Sequence, residues 1–135
     1  DAADVVREDN LQKMLSFAKK YAQSFGTIIA ITGAIDLVTD GERAYVIRNG
    51  CQEMSRITGT GCQLSGLITA FLVANPDKAL EAVAAATCTM GLAGEIGKAH
   101  LQEGEGNAGY RNRIIDAISL MTGEELEKGA KYEIR

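Results

Sequence analysis

Histidine is almost missing from this sequence: the 135 residues contain one, His100, which leaves little material for imidazole-based catalysis. Cysteine is scarce as well. Cys51, Cys62 and Cys88 are an odd number without a Cys-x-x-Cys pair, so neither a disulfide framework nor a zinc site is indicated. Positive charge is nowhere concentrated. With 14 Lys and Arg against 18 Asp and Glu, a net charge of −4 and no basic cluster, the chain lacks the surface that phosphate-backbone binding requires, which argues against nucleic acid as the main partner. A small anionic ligand would have to be held by backbone N–H groups instead. No apolar run reaches the length of a bilayer-spanning helix, and Asp1-Ala2-Ala3-Asp4 has no basic region followed by an apolar core. The expectation is a cytoplasmic protein with no membrane partner.

What is present is 46% apolar residues, in a length suited to one region with a real core and too short for two ordinary domains. After Asp4, Leu11, Met14, Leu15, Ala18, Tyr21, Ala22 and Phe25 recur at helical spacing, and Gly26 ends that pattern. The β-branched run from Thr27 to Thr32 predicts a strand buried on both faces, so helix followed by buried strand predicts a parallel α/β sheet. Asp40-Gly41, between Ile35–Thr39 and Ala44–Arg48, predicts an antiparallel hairpin. A second turn pair follows at Asn49-Gly50. Arg43 and Arg48 are expected on a solvated face. A helix pattern runs from Gln63 through Leu64, Leu67, Ile68, Phe71 and Leu72 and closes at Asn75-Pro76. Asp77 is expected to cap the next helix, which runs to His100 with many small residues on one face. Past the polar loop Gly104–Asn107, Tyr110, Ile114, Ile115, Ile118 and Met121 predict a last amphipathic helix. The charged tail from Gly123 has room for a short helix at Glu124-Glu125-Leu126.

Gly59-Thr60-Gly61-Cys62 is where chemistry is expected. Two glycines ahead of a helix allow a tight turn and a close backbone approach. The helix N-terminus behind them offers unpaired N–H groups and the positive end of its dipole to an anion. The same tetrapeptide also fits a simple turn.

The run Ile57–Gly66 with Ile31–Gly41 upstream, continued through Met90-Gly91-Leu92-Ala93-Gly94-Glu95, resembles hydroxyethylthiazole kinase of thiamine biosynthesis. The resemblance implies the C-terminal half of a ribokinase-like three-layer α/β/α sandwich. It implies transfer of the γ-phosphoryl group of Mg-ATP to the primary hydroxyl of 4-methyl-5-(2-hydroxyethyl)thiazole, in a homotrimer with active sites at subunit boundaries. Family members are about twice as long, and the half not resembled here supplies much of the thiazole pocket, an arginine for ATP and the acidic residues nearest Mg2+. No metal ligand is therefore expected in this chain. A start at Asp1 in place of methionine is expected to reflect truncation or processing.

With the same resemblance, five positions take roles. The backbone from Gly59 through Thr60 and Gly61 to Cys62 would form an anion hole, Gly59 would meet the thiazole, and Thr32 at a strand end would contact ATP. Cys62 stands where most ribokinase-like relatives carry aspartate. A helix N-terminus favours a thiolate and a nearby triphosphate disfavours it, so Cys62 is expected as a weak general base or hydroxyl-positioning group. On residue type alone, Cys62 also fits a small buried filler, Thr32 an ordinary strand residue and Gly59 a turn glycine. Cys51 and Cys88 are expected to be structural, and Asp36 has no assigned role. The alternatives are phosphomethylpyrimidine kinase and a catalytically silent nucleotide-binding or oligomerising half-domain. The Thr32-Gly33-x-x-Asp36 stretch with its Asp40-Gly41 turn favours the thiazole enzyme.

Overall fold

A computed structural model describes residues 5–135; the reading of Asp1–Asp4 lies outside the described residues. The first helix, α1 (Leu11–Phe25), buries Leu11, Leu15, Ala18 and Ala22 along one line. Gly26 ends it with φ 58°, donating its N–H to the carbonyls of Ala22 and Gln23. Tyr21 and Phe25 leave the expected buried stripe: with Phe17 they form an exposed aromatic row, with ring centroids 6.0 and 4.6 Å apart.

Four strands follow in the order β1 (Ile29–Ile31), β2 (Asp36–Thr39), β3 (Ala44–Ile47) and β4 (Tyr132–Ile134), each antiparallel to its neighbour. The expected hairpin is β2–β3. Asp40 Oδ1 accepts the N–H groups of Glu42 and Arg43 at 2.9 and 2.8 Å, and Gly41 takes φ 100°. The parallel pairing expected from the Thr27–Thr32 run is not found among the described strands. The chain reverses at Gly33–Ile35 and returns as β2; among the described strands β1 lies at the edge of the sheet, and its exposed Ala30 shows that it is not covered on both faces.

Strand alternation divides the core. Leu37 and Val46, opposite one another, join Val6, Leu11 and Ile35 on the α1 face. Val38, Tyr45 and Ile47 turn the other way, onto Leu80, Val83, Ala84 and Cys88 of α3 (Ala79–Ala99). Helices α2 (Thr60–Ala74) and α4 (Asn107–Leu120) pack against α3 around Leu64, Met90, Ala93, Tyr110 and Ile114. The result is helix, sheet and helices in three layers.

α3 is covered on nearly every side, which explains its apolar and small residues all round. Against the expectation of no such run, Pro76–Ala99 has the length and composition of a membrane span. In this fold 72% of its most apolar window is buried, as in a core helix. Asp77 does not cap it: Pro76–Lys78 form a 3-10 turn, and the residue before α3 is Lys78, without a side-chain cap bond. α2 starts three residues earlier than the apolar spacing predicts, because Gly59 turns with φ 95° directly into Thr60. The short tail helix is α5 (Gly123–Gly129), opened by a Thr122–Glu125 capping box. Arg43 and Arg48 lie on the surface as expected, paired with Glu81 at 3.0 Å and with Glu8 and Glu133 at 2.7 and 2.9 Å.

The end of β3 is tied down by Asn49, which is buried. Its amide nitrogen donates to Gly129 O at 2.9 Å and Glu95 Oε1 at 3.2 Å, and its oxygen accepts from Lys131 N at 2.7 Å. α3 comes so close here that a Cβ on Gly91 would lie 2.6 Å from Asn49 Cβ. Asn49→Ala should cost about 2 kcal/mol or more through groups left unpaired, and Gly91→Ala about 1–3 kcal/mol through overpacking. Denaturant unfolding checks both, and unchanged midpoints would remove this contact from the account of stability.

Candidate functional site

A cleft of about 770 Å³ opens where three segments of backbone meet over α3. One wall is the turn Thr32-Gly33-Ala34 leaving β1, with Asp36 at the start of β2. The second is the loop from Asn49 to Ser55, and the third is the first turn of α2, contributing Thr60, Gly61 and Leu64. Thr87, Met90 and Gly91 of α3 form the floor.

The α2 wall presents donors. Its first intrahelical bond runs from Gln63 N to Gly59 O at 3.0 Å, so the N–H groups of Thr60, Gly61 and Cys62 have no acceptor within the helix. Gly59 precedes the helix without a side-chain cap, and a Cβ on Gly59 or Gly61 would meet nothing within 4 Å. The space before these donors is open to a ligand. A fifteen-residue helix adds the positive end of its dipole.

The expected residues are partly gathered. Thr32, Thr60 and Gly61 line the cleft; Gly59 and Cys62 flank Thr60 and Gly61 in the chain and are not among the lining residues. Cys62 is exposed, so the reading of it as a buried filler does not apply. Thr32 is also exposed, just past the end of β1. Cys88 is buried in the sheet–α3 core, where burial, with Asp36 adding to it, pushes its thiol up to about 11. His100 ends α3, its backbone N–H bonded to Ile96 O.

Several residues that shape the site were given no role by sequence reasoning. Glu95 Oε1 accepts Gly50 N at 2.8 Å, and its Oε2 accepts Lys131 Nζ at 2.6 Å. Burial works to raise Glu95; Lys131, the Gly50 amide and Asn49 outweigh it and hold the carboxyl below its usual range. Beyond Gly50, at φ 114°, Cys51 Sγ lies 3.1 Å from the Tyr110 hydroxyl, which donates to Gly94 O at 2.8 Å. Burial first, then Cys51, raises Tyr110. These bonds fix the loop that delivers the chain to Gly59. Their signals were an Asn-Gly pair that also reads as a plain turn and a glycine inside a helix at Gly91.

Asp36 is the charged side chain of the cleft, and its Oδ1 accepts Gly33 N at 2.9 Å. Burial pushes it up to about 6 against a pull downward from that bond. Because the folded chain then holds this proton more tightly than the unfolded one, the group costs stability as pH rises from about 4 to about 6, with the full cost above that window. Wild-type stability relative to Asp36→Asn should therefore fall between pH ~4 and pH ~7. Denaturant titrations at both pH values measure the difference, and a constant difference would contradict the burial.

The model of the hydroxyethylthiazole kinase family matches residues 4–124. The hydroxyethylthiazole kinase of Clostridium acetobutylicum is 45% identical over 133 residues, 98% of this chain and 49% of the relative. That of Arabidopsis thaliana is 43% identical over 101 residues, 75% of this chain and 36% of the relative. The solved structure of a hydroxyethylthiazole kinase protein from Pyrococcus horikoshii OT3 superposes with a TM-score of 0.84 at 27% identity, over 95% of this chain and 48% of that one. The expected ribokinase-like α/β class is borne out by that superposition. The chain spans about half the length of the curated relatives it matches. Within that span the match runs through the Thr32 turn and the α2 N-terminus alike, and the chain belongs to the hydroxyethylthiazole kinase family.

Proposed function

We propose that residues 1–135 form one region, the C-terminal half of a kinase domain that transfers the γ-phosphoryl group of ATP to the primary hydroxyl of hydroxyethylthiazole. The observation that carries this reading is the cleft in which Thr32, leaving β1, faces uncapped N–H groups at the start of α2. Phosphoryl transfer asks the protein mainly to align the acceptor oxygen with the γ-phosphorus and to stabilise charge on the equatorial oxygens. The amides of Thr60, Gly61 and Cys62 suit the second task, since they need no rearrangement to meet an anion. Thr32 is assigned to the nucleotide and Gly59, by its backbone, to the thiazole.

As the bond from the γ-phosphorus to the leaving ADP oxygen breaks, a bond to the acceptor oxygen forms and the hydroxyl proton departs. Cys62, exposed at the third position of α2, receives that proton weakly or orients the hydroxyl. Asp36 is the one carboxylate of the cleft, and among the described residues no group of three or more His, Cys, Asp or Glu converges on a metal position. The residues present do not fit a magnesium site by themselves, and no step is assigned to the ion; Mg2+ accompanying ATP would take protein ligands from outside this segment. A cytoplasmic homotrimer completes the proposal.

Two measurements on the kinase-length protein carrying this segment test it. Given Mg-ATP with the thiazole alcohol and hydroxymethylpyrimidine phosphate in competition, it should yield thiazole phosphate alone by mass spectrometry. A pyrimidine diphosphate product would move it to the phosphomethylpyrimidine kinases, and no product would favour a silent half-domain. Cys62→Ala should lower turnover at least ~10-fold with ATP affinity nearly unchanged; unchanged turnover removes Cys62 from the mechanism.

A further inference from the structure

Among the described residues that line the cleft, Asp36 alone bears a charged side chain. Its sign is wrong for direct contact with a triphosphate. Like charges at short range disfavour one another, and no cation lines the cleft to neutralise this one. The carboxyl is also largely withdrawn from water, which disfavours its charged form. A group so placed acts through what it holds.

What it holds is the turn that carries Thr32. Asp36 Oδ1 accepts the N–H of Gly33, the next residue after Thr32, at 2.9 Å. Asp36 is itself anchored as the first residue of β2, paired with Ile47 of β3. The turn is gripped from the opposite side too: Ile35 N donates to Val6 O at 3.2 Å, and a Cβ on Gly33 would lie 3.0 Å from Val5 Cγ1 and 3.1 Å from Val6 N. Thr32 is exposed at the mouth of this gripped turn. Without the Asp36 bond, the Gly33 amide loses its acceptor and the turn after β1 loses the side-chain link that ties it to the start of β2.

We propose that Asp36 is a positioning residue of the nucleotide site, its carboxyl holding the Thr32–Gly33 turn in the arrangement that meets ATP. The proposal rests on the nucleotide reading of the cleft given above. It requires an acceptor at Oδ1 and not a negative charge, so asparagine should replace the aspartate and alanine should not.

The test is ATP titration calorimetry and steady-state kinetics on the kinase-length protein, as wild type, Asp36→Asn and Asp36→Ala, with thermal unfolding of each. Asp36→Ala should weaken ATP binding and raise KM for ATP about tenfold, the upper scale of one ordinary hydrogen bond, while kcat stays within about twofold. Asp36→Asn should restore both to within about twofold of wild type. Wild-type ATP affinity in Asp36→Ala overturns the proposal, and so does a loss in Asp36→Asn equal to that in Asp36→Ala. A fall in kcat that tracks lost thermal stability, with KM unmoved, assigns Asp36 a purely structural role and overturns it as well. Failure of the wild type to bind ATP overturns the nucleotide reading together with this one. ATP binding with no thiazole product overturns the substrate assignment alone, and the Asp36 comparison still decides.

Discussion

The approach of α3 to the end of β3 is the constraint from which the site follows. Asn49 and Gly91 meet with no room for a side chain on the helix, and the Asn49 amide spends its hydrogen bonds on Glu95, Gly129 and Lys131. Three parts of the chain far apart in sequence are joined at one buried polar side chain: the hairpin, the long helix and the linker into β4. Such a group is costly unless fully partnered, so the contact either forms as a unit or not at all. Once formed, it sends the chain through Gly50 and Cys51 along the cleft and on to the turn at Gly59.

The cleft that results joins side chains from four parts of the chain to the free amides at the start of α2. Donors at its α2 wall are helix amides, and the one charge among its described lining residues is an aspartate engaged with a neighbouring amide. An acidic chain with no basic cluster can still receive an anion this way, because the N–H groups at a helix start need no lysine or arginine to attract phosphate. The same economy explains why α3 is rich in glycine and alanine. A helix serving as the floor of one cavity and the hub of two helix contacts must let backbone approach closely on several sides.

Much of this was legible from residues alone. Leu11, Leu15, Ala18 and Ala22 marked the buried line of α1, and Asp40-Gly41 marked the hairpin, because both signals are local. The association of the Thr32 turn with Gly59–Cys62 came from resemblance; periodicity cannot say which turns meet. Long-range pairing was the main loss. β4 is three residues inside a charged tail, and its place beside β3 depends on Asn49 and on Glu133 meeting Arg48, neither of which leaves a periodic trace. The run Thr27–Thr32 read as a doubly covered strand because composition reports apolarity and not neighbours. Asp77 resembled a cap, but Pro76 drew it into a 3-10 turn one step before the helix. Asp36 was invisible as a positioning group, since its partner Gly33 lies within a turn whose shape exists only in three dimensions.

A crystal structure of the kinase-length protein with a non-hydrolysable ATP analogue tests the central claim most directly. The account predicts phosphate oxygens within hydrogen-bond distance of the amides at Thr60–Cys62, and Thr32 in contact with the same nucleotide. A nucleotide bound elsewhere, with the α2 N-terminus facing only solvent, would contradict it.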